Sequence, residues 1–475
     1  MTLTKATYSM LDGAVVNILD FGATGDGVTD DANAIQDAID AVSTNFNTGY
    51  GGTVFFPKAI NNGNNCYLIN STVEVPPGVI LAGEGIGNAS NVSGSAIKVN
   101  FDGVGIRFIR RNPSASLFYN GGMHDIAMQG TGGSSTTAQR LVELGDSAQV
   151  NTQNGAWNGF IRDCLFNNTR GFGIFSSHSQ EWLIEHNMFR ECNRAINYST
   201  VPASSRVENN TFINESATPC DYAINYEPGA LGGAAGFVFK NNYVIGFDYG
   251  VYVAGCKGVV IADNVFESTK EYSIHASTTT FTGTSLGLTD AVLPSLDIRG
   301  NTFIAPGAGG NATNAIYFAN TRNCNVSSNY VLSPYATLGA ILEVYQDAPN
   351  TCVDNNVEAP SLQGNNSGTV PLYNTANTVW GQQYVTAFKK EQVLSANSTT
   401  ASALGLISII LQNDAITTFA TLSNGQEGQC VTIHSVNAAA TVTIDGNTLV
   451  IPQYACATYQ YSTFYAGWRL ISKSF

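Results

Sequence analysis

Eight stretches of the chain write one phrase: IRDCLF (161–166), IEHNMF (184–189), VENNTF (207–212), FKNNYV (239–244), IADNVF (261–266), IRGNTF (298–303), VSSNYV (326–331) and VDNNVE (353–358). A phrase recurring at a short, nearly fixed period marks a solenoid, and this one has strand chemistry, not helix chemistry. Its fourth residue serves as a marker: Cys164, Asn187, Asn210, Asn242, Asn264, Asn301, Asn329 and Asn356, in steps of 23, 23, 32, 22, 37, 28 and 27. The shortest step is one bare coil, and the longer ones are coils carrying loops. An apolar residue stands three before each marker (Ile161, Ile184, Val207, Phe239, Ile261, Ile298, Val326, Val353) and usually another two after it (Phe166, Phe189, Phe212, Val244, Phe266, Phe303, Val331). Between two such inward residues the chain turns a corner. Asn tolerates the left-handed backbone that a corner needs, and its amide can bond the Asn of the next coil, giving a buried ladder that Cys164 breaks at one end.

A second strand follows in each coil, read from FGIFSS, RAINYS, YAINYE, YGVYVA, YSIHAS, NAIYFAN and GAILEVY, with Ile174, Ile196, Ile224, Val251, Ile274, Ile316 and Leu342 as its inward column. Short parallel strands stacked at roughly 4.8 Å, apolar inside and polar outside, describe an all-β chain built as a right-handed parallel β-helix. The phrase MHDIAM puts Ile126 in the marker position, which starts the helix well before residue 161.

Composition agrees. Across 475 residues, 48 Gly and only 12% charged residues suit an all-β chain full of tight turns, and a net charge of -14 argues against nucleic acid and anionic membranes as partners. No apolar run is long enough to span a bilayer, and Met1 to Leu19 lack the basic start and apolar centre of a signal peptide. The nine Cys are odd in number and share no coil position, so buried free thiols in a reducing compartment are expected. CxxC is absent and the five His have no ligand spacing, so neither a metal nor another cofactor is expected.

Residues 16–42 read VNILDFGATGDGVTDDANAIQDAIDAV, followed by GGTVFFP at 51–57. Gly22, Gly25 and Gly27 mark turns, Thr29 to Asp31 supply an N-cap, and Ile35, Ala38, Ile39, Val42 and Phe46 form one helical face, the face of a helix that caps the open end of the coils. This segment resembles the N-terminal signature of the pectate-lyase-like superfamily, in the version found in bacteriophage tailspikes and capsule depolymerases. The resemblance implies a homotrimer on a virion tail that binds a bacterial surface polysaccharide and depolymerises it. It also implies that TKATYSMLDGA (4–14) is the linker from a virion-attachment domain, meeting another tail or baseplate protein. The motifs that polygalacturonases carry are missing from the repeats, since the one Asp-Asp, Asp30 and Asp31, lies in the signature. Pectin is therefore disfavoured.

The repeat stops after VPLYN (370–374), and residues 404–475 read as short strands with a hairpin signal at Asp445-Gly446. A small C-terminal antiparallel β-sandwich is expected, for trimerisation or glycan binding. The division is thus 1–20 linker, 21–100 N-terminal cap and first coils, 101–374 parallel β-helix and 375–475 C-terminal β-sandwich.

Glycan hydrolysis uses two carboxyl groups, about 5 Å apart for retention and about 6.5 to 9.5 Å for inversion, and adjacent coils offer the shorter spacing directly. Aligning the second strand, three residues before its inward residue, stacks Asn193, Asp221, Asp248 and Glu271. At least one stacked acid should have a raised pKa, as a proton donor needs. The next column holds Arg194, Tyr222, Tyr249 and Tyr272, and the outward column holds Asn197, Asn225, Tyr252, His275 and Tyr317, with Glu227 at its end. Acids bordered by rings and amides suit a sugar groove, so Asp221, Asp248, Glu271 and Glu227 are the catalytic candidates. Tyr222, Tyr249, Tyr252, Tyr272, His275, Tyr317 and Asn225 are the substrate-binding ones. The alternatives are acids that only cap turns, or a Ca²⁺ site. Another charged column, Arg162, Glu185, Glu208 and Lys240, reads as a solvated ladder or, through Glu185 and Glu208, a second acid pair. A polysaccharide lyase would instead use His275 as base, beside Tyr252 and Tyr317. A non-catalytic adhesin on the same face is the third reading.

Overall fold

The computed structural model describes residues 15–43, 51–59, 66–88, 91–92, 94–109, 120–132, 138–147, 155–177, 179–199, 204–215, 220–227, 236–277, 295–305, 314–319, 324–332, 340–345, 351–353 and 356–358. Towards the C-terminus it describes 391–393, 400–402, 408–411, 418–419, 421–423, 430–435, 440–445, 447–452, 455–462 and 467–474. Phe46, the linker at 4–14 and most residues of the inserted loops lie outside the described residues.

The coils form a three-faced prism. Its first face is a twelve-stranded sheet that runs in chain order from Val15–Asn17, Thr53–Phe56 and Ile80–Gly83 up to Asn325–Ser327 and Thr351–Val353. The pairings are parallel, as in Ile161↔Ile184, Ile184↔Val207 and Val207↔Phe239, which puts each phrase in register with the next. Val15–Asn17 already pairs with Thr53–Phe55, so the first rung begins inside the stretch assigned by sequence to the linker. The second and third faces share one nineteen-stranded sheet, because Leu165–Ser176 and Met188–Ser199 run unbroken through the corner between them.

The Asn ladder is present. In Asn242, Oδ1 accepts from the backbone N–H and Nδ2 of Asn210 at 2.8 and 3.1 Å, while Nδ2 donates to Asn264 Oδ1 and Val207 O at 3.1 and 2.9 Å. The same pattern links Asn187, Asn210, Asn264, Asn301 and Asn329, all buried. Cys164 ends the ladder, donating only its backbone N–H to Asn187 Oδ1. Ile126 occupies the marker position one coil earlier, fully buried.

The corner itself differs from the expectation. The left-handed residue is the one before the marker: Asp125, Asp163, His186, Asn209, Asn241, Asp263, Gly300 and Ser328 have φ between 53° and 65°. Two jobs assigned to one Asn are therefore done by neighbours: one residue bends the chain, and the next fills the corner with amide hydrogen bonds. Behind the ladder Phe166, Phe189 and Phe212 stack at 4.7 and 4.8 Å, and the Ile174, Ile196, Ile224, Val251, Ile274 and Ile316 column is fully buried.

At the N-terminus the helix Ala32–Val42 buries Ile35, Ala38 and Ile39. Asp30 Oδ1 accepts from Ala32 N–H at 3.1 Å. Asp31 turns back instead to Thr24 and Gly25 at 2.7 and 3.1 Å, closing the GATGDG turn, and burial pushes its carboxyl up.

By contacts the chain divides into Met1–Thr351 with Asn356–Asn374, and Cys352–Asn355 with Thr375–Phe475. In the second unit Cys430–Ser435, Ala455–Ser462 and Gly467–Lys473 form the expected antiparallel sheet, and Ala440–Ile444 pairs with Asn447–Ile451 across Asp445. Val431, Ile433, Val442, Ile444 and Trp468 are its core. The strands before Cys430 add a feature the sequence did not suggest: Glu391–Val393, Ser408–Leu411 and Cys430–Ser435 pair in parallel, as do Thr400–Ser402 with Thr421–Ser423.

Six of the eight described cysteines are buried and all eight are free, while Cys430 is exposed. Among the described residues no helix is long and apolar enough to cross a membrane.

The ladder separates the two corner roles experimentally. Asn242→Ala should cost about 3 kcal/mol in guanidinium unfolding, because it orphans buried donors above and below. Asn241→Gly, which keeps the left-handed corner, should stay within about 0.5 kcal/mol of the parent. Equal losses at both would refute this division.

Candidate functional site: an aromatic and acidic ladder on the third face

Regular alternation would point every second residue of a strand outward, yet on this face residues three apart share one side. Small residues make that possible: Gly173, Ala195, Ala223, Gly250, Ser273 and Ala315 stand between the two columns, and all six are buried like the rest of the wall. A Cβ on Gly250 would approach Ser273 O to 2.5 Å, and one on Gly173 would approach Ala195 O to 2.7 Å. The backbone therefore hugs the adjacent coil there, and the flanking side chains both swing outward.

The result is two touching columns. Register pairs Arg140, Phe172, Arg194, Tyr222 and Tyr249 in one column. The other runs Glu74, Arg107, Glu143, Phe175, Asn197, Asn225, Tyr252, His275 and Tyr317. Along the first, Tyr222 and Tyr249 stack at 5.1 Å, and Tyr249 lies 6.4 Å from Tyr272. Across the columns, Tyr222 meets Tyr252 at 5.4 Å and Tyr272 meets His275 at 5.7 Å and Tyr317 at 4.9 Å, while along the second column Tyr252 meets His275 at 4.7 Å. All seven residues expected to bind substrate are brought together. Asn225 donates to Asn197 Oδ1 at 2.8 Å, and Tyr252 shares a hydrogen bond with Ser277 at 3.1 Å.

Three of the four acids stack as expected. Tyr249 N–H bonds Asp221 O and Glu271 N–H bonds Asp248 O, both at 2.8 Å, so the three carboxylates occupy consecutive coils. Sequence alignment of the columns did not foresee their cations. Arg194 Nε and Nη2 both reach Asp221 Oδ2, at 3.0 and 2.9 Å, and Asn193 Nδ2 reaches the same oxygen at 3.3 Å. Lys270 Nζ stands 3.5 Å from Asp248 Oδ1. Even so, burial raises the Asp248 carboxyl, with the Asp221 and Glu271 charges adding to the rise and Lys270 opposing it. Lys270 was legible in retrospect as the residue before Glu271.

Glu227 does not join them. It lies exposed at the far end of Tyr222–Glu227, six residues from Asp221 and hence roughly 20 Å along the strand, too far for a carboxylate pair with the others. Glu185 and Glu208 stand opposite each other on the first face, not on the aromatic one. Among the described residues no group of three His, Cys, Asp or Glu is disposed to hold a metal.

The sequence reading also missed the N-terminal half of the face. Glu143 is fully buried, accepting from Arg107 Nε at 2.8 Å, Arg140 Nη1 at 2.5 Å and Ser147 N–H at 3.2 Å, and Arg140 lies 3.8 Å over the Phe175 ring. Extending the second-strand column back through RLVEL (140–144) would have found it.

His275 is enclosed by Tyr249, Tyr252, Tyr272 and Tyr317, and its Nδ1 is buried without a partner among the described residues, as is Asn225 Oδ1. Burial lowers its pKa to about 4, so the ring is neutral at ordinary pH.

Residues 15–218 match the family of rhamnogalacturonase A/epimerase, pectate lyase-like proteins, and residues 159–285 match the right handed beta helix region. The coils are a right-handed parallel β-helix, and their N-terminal part is similar to pectate-lyase-like proteins. Its likeness to tailspikes has two parts. The tail spike protein of Shigella phage Sf6 is 38% identical over 91 residues, 18% of this chain and 14% of that protein. A tailspike protein of E. coli bacteriophage HK620, solved with a pentasaccharide, superimposes with a TM-score of 0.57 at 12% identity, covering 94% of this chain and 84% of that one. A mannuronan C5-epimerase of Azotobacter vinelandii is 37% identical over 123 residues, 24% of this chain and 12% of its own length. The chain thus spans a small part of the length of these curated relatives.

The buried imidazole gives a pH prediction. His275 binds a proton more weakly folded, at about 4, than unfolded, near 6.5, so stability falls as pH drops through that window, by about 2 kcal/mol. His275→Gln should flatten thermal stability between these pH values, and an unchanged slope would show that the ring is not buried neutral.

Proposed function

We propose that this protein binds a bacterial surface polysaccharide along its third face and cleaves it by hydrolysis, as a tailspike-type depolymerase. One observation carries the reading: a continuous tyrosine surface runs beside three stacked carboxylates, of which Asp248 is pushed up. Flat ring faces take pyranose rings, amides and hydroxyls take sugar hydroxyls, and a carboxyl with a raised pKa is what protonates a departing glycosidic oxygen. Relatives named as a tail spike protein and as a mannuronan epimerase make glycans the first ligand class to test.

Asp248 is assigned as the general acid and Asp221 as its partner, because Arg194 and Asn193 fix the Asp221 carboxylate in one orientation. Adjacent coils lie roughly 4.8 Å apart, close to the spacing of retaining enzymes, so Asp221 would act as nucleophile and Asp248 would then activate the water that releases the product. A homotrimer on a virion tail would present three such faces and gain avidity for a repeating polymer.

One observation favours a second reading. The neutral His275 ring among tyrosines is a ready base, and a lyase would use it to abstract the proton beside a uronate carboxylate.

The test is incubation with capsular and lipopolysaccharide glycans, following new reducing ends together with ultraviolet absorbance from unsaturated product. Hydrolysis gives reducing ends without absorbance and, by NMR, a retained anomer. Asp248→Asn should then lower kcat by about 1000-fold, and an aryl glycoside with an activated leaving group should recover most of that loss. Absorbance would move the chemistry to His275. Binding without either product would mark an adhesin.

A further inference from the structure

We infer that the sugars seated over Asp221, Asp248 and Glu271 carry no anionic group: they are neutral hexoses or N-acetylated amino sugars, not uronic acids. The inference rests on the glycan-binding reading above and narrows its substrate class.

From Arg140 to Arg299 the sequence holds ten Lys and Arg, every one of them in a described position. Arg162, Arg206, Lys240 and Arg299 belong to the first face, Lys257 stands just before its strand Val259–Ala262, and Arg190 pairs with Glu215. On the third face Arg140 holds Glu143, Arg194 holds Asp221 and Lys270 holds Asp248. The remaining cation, Arg170, lies one residue past the Thr169–Cys192 rung and is itself engaged. The connecting segments 200–203, 216–219, 228–235 and 278–294 contain neither Lys nor Arg. His275 is uncharged above pH 4 or so.

Around these coils Asp221, Asp248 and Glu271 therefore share Arg194 and Lys270, which are already bonded to Asp221 and Asp248. A uronate entering here would meet like charge at about one coil spacing and could gain a cation only by taking Arg194 or Lys270 from the acid it already holds. Elimination or epimerisation beside a uronate needs that carboxylate neutralised, and among the described residues of these coils both Arg194 and Lys270 are already committed to acids. What the face offers instead is the ring surface of Tyr222, Tyr249, Tyr252 and Tyr272, with amides and phenol hydroxyls that suit sugar hydroxyls.

The experiment immobilises the full chain and measures retention of bacterial surface polysaccharides, each used native and after chemical reduction of its carboxylates to alcohols, at low and high salt. The expected result is retention of glycans that are neutral where they bind, unchanged by reduction and varying less than about twofold in Kd with salt. Retention that carboxyl reduction abolishes would overturn the neutral assignment while leaving the glycan reading intact. A protein that retains no polysaccharide would defeat both. As a second measurement, Asp248→Asn removes one charge and releases Lys270, and should raise retention of polygalacturonate, used as a uronate probe, by roughly fivefold or more. No gain would overturn the charge argument directly.

Discussion

Everything on this molecule depends on one coil lying on the next at a fixed separation, and the Asn ladder enforces it. Backbone pairing alone allows a parallel strand to slip, because each coil presents the same pattern of donors and acceptors. A slip would carry Asn242 away from Asn210, Asn264 and Val207 O at once, leaving buried amide groups unmade at four places. The amide column thus converts a generic sheet into a ruled scale. Side chains on the third face inherit their spacing from that scale, so Asp221, Asp248 and Glu271 are positioned by residues that never touch them.

A second constraint decides what the scale carries. An ordinary strand would set one inward side chain between successive outward columns, whereas here two residues separate the ring columns. The Gly, Ala and Ser residues at 173, 195, 223, 250, 273 and 315 let the chain press against its neighbour and turn two columns outward together. Tyr249 and Tyr252, or Tyr272 and His275, then meet across the strand, and the acids lie one residue beyond. Small residues inside the wall are thus as much part of the site as the tyrosines.

Period and polarity were legible in the sequence because they are properties of residue spacing. The Asn markers, the inward column through Ile174 and Ile316, the Tyr222 to Tyr317 surface and the stacking of Asp221, Asp248 and Glu271 all follow from counting. What was hidden depends on backbone direction and side-chain reach. Asn209 and Asn210 look alike in the chain, and only the coil shows that the first bends and the second bonds. Lys270 and Arg194 reach the acids by long side chains from neighbouring positions, so no column alignment pairs them. Glu227 shares a strand with Asp221, yet along a strand residues separate by roughly 3.3 Å each, and sequence closeness misled. The parallel strands before Cys430 lack any marker phrase, so nothing in their spacing announced them.

Asp248 shows how such a face can tune chemistry without a special motif. Its carboxyl is subject to burial and two acidic neighbours on one side and an ammonium at 3.5 Å on the other, and burial prevails. A sugar without charge that closes over the tyrosines removes water and adds nothing to the ammonium's side, so it drives the carboxyl further toward its protonated form. An anionic sugar would recruit Lys270 for itself, uncovering the carboxylate that most needs a counter-charge. On the proposed reading the same ion pair would tie proton donation to substrate class: a neutral ligand would complete the acid, and a charged one would take apart the arrangement on which it depends.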